Sequence, residues 1–211
     1  MSPISDYTPI VGASTIEDLS LLAERLRGKT IQNINFTAVG GGVAEILSRM
    51  LPLLYDLGVE VSWDVIKGNE QFFNLTKRIH NALHGVAETF GPGEFDDLIE
   101  VNRQNAPEVL RGADITFVHD PQPIALVDEK STRGGRWIWR CHIDFTNPQL
   151  DVWEFLRTFI ESYDAAVFSA PAFSRALAIR QVLISPSIDP LSDKNRDLSR
   201  TSSIPSARGS A

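Results

Sequence analysis

Short apolar runs of strand composition alternate with amphipathic helical segments along most of the chain, and this alternation restricts the accessible folds more than any other feature. After Gly28, the segment Thr30 to Val39 is rich in Ile, Thr, Phe and Val and runs into Gly40, Gly41 and Gly42, the signature of a strand ending in a tight turn. Val43 to Leu57 then carries Val43, Ile46, Leu47, Met50, Leu51 and Leu54 at the 3.6-residue period of a helix, with Pro52 expected to bend or interrupt it. Val59 to Ile66 reads as a strand and Asn69 to Leu83 as a helix. Glu94 to Leu110 is a weaker helical segment. Ile115 to Val118 and Trp137 to Ile143 read as central strands, Val152 to Ile160 as a helix, and Ala165 to Phe168 and Gln181 to Ile184 as late strands. Ile16 to Leu26 adds an amphipathic helix at the start, with Ser14 or Thr15 as N-cap.

Strands separated by helical crossovers pair in parallel, so the pattern predicts an α/β fold: a doubly wound, mostly parallel sheet with helices on both faces. The 211 residues suit one large domain, expected to span 1–190. From Ser185 the composition turns to Ser, Pro, Asp, Asn and Arg, so residues 191–211 are expected to form a flexible tail.

Charge and composition exclude several function classes. Twenty Lys and Arg against 27 Asp and Glu leave a formal charge of −7, which argues against a nucleic-acid binder held by phosphate neutralisation. Cys141 is the only cysteine, so neither an intrachain disulfide nor a thiolate metal cluster is available; no metal and no cofactor is expected. The start of the chain lacks a basic, then apolar, secretion signal, and no run approaches the roughly 18 apolar residues of a membrane span. A cytoplasmic setting without membrane or nucleic-acid partners is the expectation, and homo-oligomerisation stays open.

In a doubly wound sheet the ligand lies beyond the carboxyl ends of the strands. Three predicted strand ends carry distinctive residues. Gly40, Gly41 and Gly42 precede a helix whose free N–H groups could hold a phosphate or a sugar oxygen, although a glycine turn is as often structural. Glu45, in the first helical turn, is a candidate cap partner. In Val118 to Pro123, two prolines force a turn that leaves His119, Asp120 and Gln122 at a loop rim; a turn or cap role for Asp120 is the competing reading. In Arg140 to Asp144, strand alternation sends Cys141 and Ile143 one way and Arg140, His142 and Asp144 the other, with a satisfied core histidine as the plainer reading of His142.

Other groupings carry less. His80 and His84 lie four apart on a helix without a third ligand nearby, which favours a solvated face over a metal site. Cys141 fits a buried position beside Trp137 and Trp139. The basic run Lys130 to Arg136 reads as an exposed loop.

The words TAVGGGVAEILSRMLPLL, FFNLTKRIHNALHG, FVHDPQP, RWIWRCHIDFTNP, VWEFLRTFIESYDAAVF and SPSIDPLSDKNRDLS resemble the amino-terminal domain of retaining trehalose synthases of the glycosyl-transferring type and the similar trehalose phosphorylases. The resemblance covers about Gly28 to Ser199. It implies the Rossmann-like first half of a two-Rossmann-domain glycosyltransferase. Such an enzyme moves glucose from a nucleoside-diphosphate glucose, or in the phosphorylase case from glucose 1-phosphate, to glucose, giving trehalose. It also implies roles: Gly41 and Gly42 approach the donor phosphate or sugar, Asp120 and Gln122 bind sugar hydroxyls, and His142 bonds the transferred glucose. Asp120 and His142 are then the residues nearest the chemistry.

No second Rossmann pattern follows Ser199, so the family's carboxy-terminal domain, with its diphosphate-binding lysine and arginine, is expected as a separate or missing partner of a truncated chain. A non-catalytic module that binds sugar or fills an interface is the alternative.

Overall fold

The computed structural model describes residues 3–192 and 194–195. After a short 3-10 turn and a single helical turn α1 (Thr8–Val11), the order is α2 (Ala13–Glu24), β1 (Thr30–Asn35), α3 (Gly42–Asp56), β2 (Glu60–Val65), α4 (Glu70–Leu83) and α5 (Glu94–Val109). There follow β3 (Ile115–His119), the short α6 (Lys130–Arg133), β4 (Arg136–Arg140), α7 (Leu150–Ile160), β5 (Ala165–Phe168) and β6 (Arg180–Leu183). The six strands form one sheet in the order β2-β1-β3-β4-β5-β6, every pairing parallel. The chain steps from β1 outward to β2 and then returns to the other side of β1 for β3. The crevice where strand order reverses therefore opens at the carboxyl ends of β1 and β3.

The sheet is buried by helices of opposite faces. On one, Val43, Leu47 and Leu51 of α3 pack with Val61 and Trp63. On the other, Phe72, Leu75 and Ile79 of α4, Leu98 and Ala106 of α5, and Val152, Trp153 and Leu156 of α7 join Val118, Trp137 and Trp139 in the main core. Burying side chains of this size stabilises by about 1.5–3 kcal/mol each, which is what holds the long crossovers against their ordering entropy. Asn69 caps α4 by accepting the Phe72 N–H at 2.9 Å.

Three expectations shift. Pro52 does not interrupt α3, which runs unbroken for 15 residues because Leu47 and Leu51 anchor its last turns in the core. The strand expected from Thr30 to Val39 ends at Asn35, whose Nδ2 donates to Thr37 O at 2.8 Å and starts the turn toward the glycines. The strand expected to reach Ile143 ends at Arg140, since the His142 N–H is taken by the Asp120 carboxylate at 2.8 Å and not by a neighbouring strand. Residues 196–211, most of the proposed tail, lie outside the described residues. Of those just before it, Asp189 accepts from the Tyr7 hydroxyl at 2.8 Å and Lys194 pairs with Glu45 at 3.0 Å. Glu45 is thus an ion-pair partner and not a cap, α3 having no side-chain cap at all. Among the described residues no helix is long and apolar enough to cross a membrane.

Candidate functional site

A cavity of about 440 Å³ lies at the switch point, lined by Gly40, Gly41 and Gly42, by Asp120 and Gln122, and by His142. All five residues singled out for the site, Gly41, Gly42, Asp120, Gln122 and His142, border this one space. Parallel strands put their carboxyl ends on one edge, so three motifs from distant parts of the sequence meet there.

The glycine turn serves the site through its backbone. Gly40 and Gly41 have φ of 77° and 80°, values that residues with a Cβ rarely adopt, and they set the first turn of α3 facing the cavity. With no side-chain cap, the first N–H groups of α3 are unpartnered within their helix, and the positive end of its dipole faces the cavity, an arrangement that favours an anion or an oxygen-rich group there.

Asp120 departs from the loop-rim expectation. His119, Asp120 and Gln122 are only 4–6% exposed, because the turn after β3 continues into a buried 3-10 segment, Ile124–Glu129, instead of rising into solvent. Asp120 itself adopts φ 64°, the sole described non-glycine residue in the left-handed region. It is held there from three sides: its N–H donates to Arg140 O at 2.9 Å, its carbonyl accepts from Trp139 Nε1 at 3.0 Å, and its Oδ1 accepts from His142 N. Such local strain persists only where the surroundings over-determine it, and it gathers at functional sites. Burial pushes the Asp120 carboxyl up to about 7, against the downward pull of the His142 N–H and the Arg140 guanidinium. A carboxyl poised near neutrality can accept or donate a hydrogen bond to a ligand hydroxyl.

Gln122 brings a buried Oε1 with no hydrogen-bond partner, an unmet polar group beside the cavity that a hydroxyl would satisfy. His142 is depressed to about 4 by burial, with Arg140 adding to the effect, so its imidazole is neutral near pH 7. Arg140 does not itself line the cavity: Nη2 donates to Ile184 O at 2.8 Å and lies 3.4 Å from the Ser169 hydroxyl, and Nη1 is buried without a partner. Asp144 turns to its own loop, accepting Thr146 N at 2.7 Å. Cys141 is fully buried, and burial pushes its thiol up, the opposite of an activated nucleophile.

Several lining residues were not assigned to the site from the sequence. His80 and His84, read as a solvated helix face, are exposed and border the same cavity, their rings 4.4 Å apart, as do Ser169 and Phe173 beyond β5. For His80 the i, i+4 spacing with His84 was the available signal; for Ser169 and Phe173 there was none, since only the β4–β5 pairing brings them across.

A family model described as the trehalose synthase N-terminal domain matches residues 33–175. A trehalose synthase of Pyrococcus horikoshii is 43% identical over 94% of this chain, and one of Rubrobacter xylanophilus is 44% identical over 93%. The aligned regions are 48% and 49% of those relatives, so the chain spans about half the length of the curated relatives it matches. A trehalose phosphorylase of Pleurotus sajor-caju is 30% identical over 76% of this chain and 24% of its own. Among solved structures, a trehalose-6-phosphate synthase aligns with TM-score 0.58 at 16% identity, covering 76% of this chain and 50% of the other. An E. coli structure bound with UDP-2-fluoro glucose aligns with TM-score 0.53 at 19% identity, over 68% and 40%. These structures share the fold. With two thirds of its length matched by the family model, the chain belongs to the trehalose synthase N-terminal domain family.

Proposed function

We propose that this chain is the acceptor-side half of a retaining glucosyltransferase that forms trehalose from an activated glucose donor and glucose. What carries the reading is the convergence of Gly41, Gly42, Asp120, Gln122 and His142 on one cavity at the switch point of a chain of this family. Each group suits one part of the transfer. Loss of a phosphate leaving group builds negative charge on it and oxocarbenium character on the sugar. The first N–H groups of α3, approachable because Gly41 and Gly42 lack a Cβ, stabilise the phosphate side. Asp120, once ionised, stabilises the positive ring and orients acceptor hydroxyls, while Gln122 and neutral His142 fix sugar hydroxyls. No covalent nucleophile of this chain is needed. The nucleotide and the remaining contacts to its diphosphate fall to the half of the enzyme that this chain does not span.

The test is a chimaera in which this chain replaces the matching half of the Pyrococcus horikoshii relative. Nucleoside-diphosphate glucose plus glucose should give trehalose, and Asp120→Ala should abolish it. Formation of trehalose only from glucose 1-phosphate would assign the phosphorylase reaction, the reaction named for the more distant fungal relatives. A folded chimaera that transfers from neither donor would overturn the proposal and leave a sugar-binding module.

A further inference from the structure

Behind His142, away from the cavity lining, lies a second buried histidine that the proposed chemistry does not use. His119 is 4% exposed, and its Nδ1 is 3.1 Å from His142 Nε2, the two rings nearly parallel with centroids 5.4 Å apart. Its other nitrogen, Nε2, is 3.1 Å from Oδ1 of Asn33, 2% exposed in the middle of β1. The three side chains form a line across β1, β3 and the end of β4, running from the sheet interior to the cavity.

A chain of this kind has a direction, set at its buried end. Asn33 Nδ2 faces Ser62 O at 3.5 Å, where a flipped amide would set two acceptors against each other. With Oδ1 toward His119, the His119 proton sits on Nε2 and donates to Asn33. Nδ1 of His119 is then a lone pair, and it can only accept, from a proton on His142 Nε2. The remaining nitrogen of His142, Nδ1, makes no hydrogen bond among the described residues. Both imidazoles are neutral near pH 7, depressed to about 3 and about 4, burial being the first cause in each and Arg140 adding to both. A single proton per ring is what makes the direction unambiguous.

We infer that Asn33 and His119 are positioning residues that lock His142 as its Nε2–H tautomer, so that His142 meets a ligand through Nδ1 as an acceptor and selects a hydroxyl over a phosphate or carbonyl oxygen. The sugar side of this inference rests on the proposed function; the tautomer does not. An acceptor at this point complements the donors at the start of α3: one end of the cavity takes anionic oxygens and the other takes O–H groups.

The experiment reads the two parts separately. Two-dimensional 15N–1H spectra of the imidazoles in this chain at pH 7 should show His119 and His142 both protonated on Nε2 alone. Asn33→Leu and His119→Phe should shift the His142 pattern toward a mixture of tautomers. A wild-type His142 protonated on Nδ1, or a pattern unmoved by His119→Phe, overturns the relay, whatever sugar does. In the chimaera, a panel of monofluoro-glucoses, whose fluorine cannot donate, should contain one analogue with a KM raised roughly tenfold, the loss of one hydrogen bond to a fixed acceptor. His119→Phe should shrink that discrimination. Equal KM values across the panel with the tautomer confirmed would overturn the hydroxyl selection, and absence of all transfer with the tautomer confirmed would fall on the proposed function alone.

Discussion

The carboxylate of Asp120 accepts the backbone N–H of His142 at 2.8 Å, so the residue after β3 closes the end of β4. One part-buried contact thus joins two of the three strand ends and fixes the position of both residues in the cavity wall. It also makes Asp120 part of the structure, not only of the site.

Asp120→Asn keeps the acceptor for His142 N and removes the ionisable group. Because the folded carboxyl lies near 7, well above its unfolded value, its contribution to stability is fully present below about pH 4 and is lost as pH rises toward 7. Denaturant titrations at several pH values should show the stability of Asp120→Asn relative to wild type growing across that window, by up to a few kcal/mol. A pH-independent difference would mean that Asp120 stays ionised in the fold.

His119 works in the opposite sense. Its folded pKa of about 3 lies below the unfolded value, so the stability it contributes is present above about pH 6.5 and is lost as pH falls through 3. His119→Phe should therefore flatten the acid limb of the stability profile. An unchanged limb would place the acid-sensitive group elsewhere.

Neighbouring glycines should part company. Gly41→Ala forces a Cβ onto φ 80° and should cost about 1–3 kcal/mol in unfolding free energy. Gly42 has ordinary backbone and no atom within 4 Å of a built Cβ, so Gly42→Ala should melt within a few degrees of wild type yet weaken donor use in the chimaera. Equal stabilities for the two variants would contradict the turn geometry.

Trp139 is fully buried, and its Nε1 supplies the donor to the Asp120 carbonyl. Trp139→Phe keeps much of the apolar contact but strands that carbonyl, which should cost roughly 2 kcal/mol or more and broaden the amide signals of residues 119–122. A loss confined to the core around Phe145 and Phe168, with those signals intact, would show that Asp120 holds its conformation without the indole.

The sheet was legible because parallel strands buried on both faces write continuous apolar runs, as Ile115 to Val118 does, and because Asn69 and the glycine triplet punctuate their helices. That Gly41, Asp120 and His142 would border one space was legible too, since each follows such a run. The burial of Asp120 was not, because two prolines announce a turn without saying whether it goes outward or, as here, under the 3-10 segment starting at Ile124. Nor was the His119–His142 contact. It depends on β3 and β4 pairing with His119 opposite Arg140, a register that no local pattern encodes.

The central claim is that the cavity at the carboxyl ends of β1 and β3 binds sugar, and titrating the 15N-labelled chain with trehalose tests it most directly. The account predicts saturable amide shifts at residues 40–43, 120–122 and 142, lost in Asp120→Ala while the rest of the spectrum stays folded. Shifts confined to the opposite edge of the sheet, around Thr30, Glu60 and Arg111, or no shifts at tens of millimolar trehalose, would contradict it.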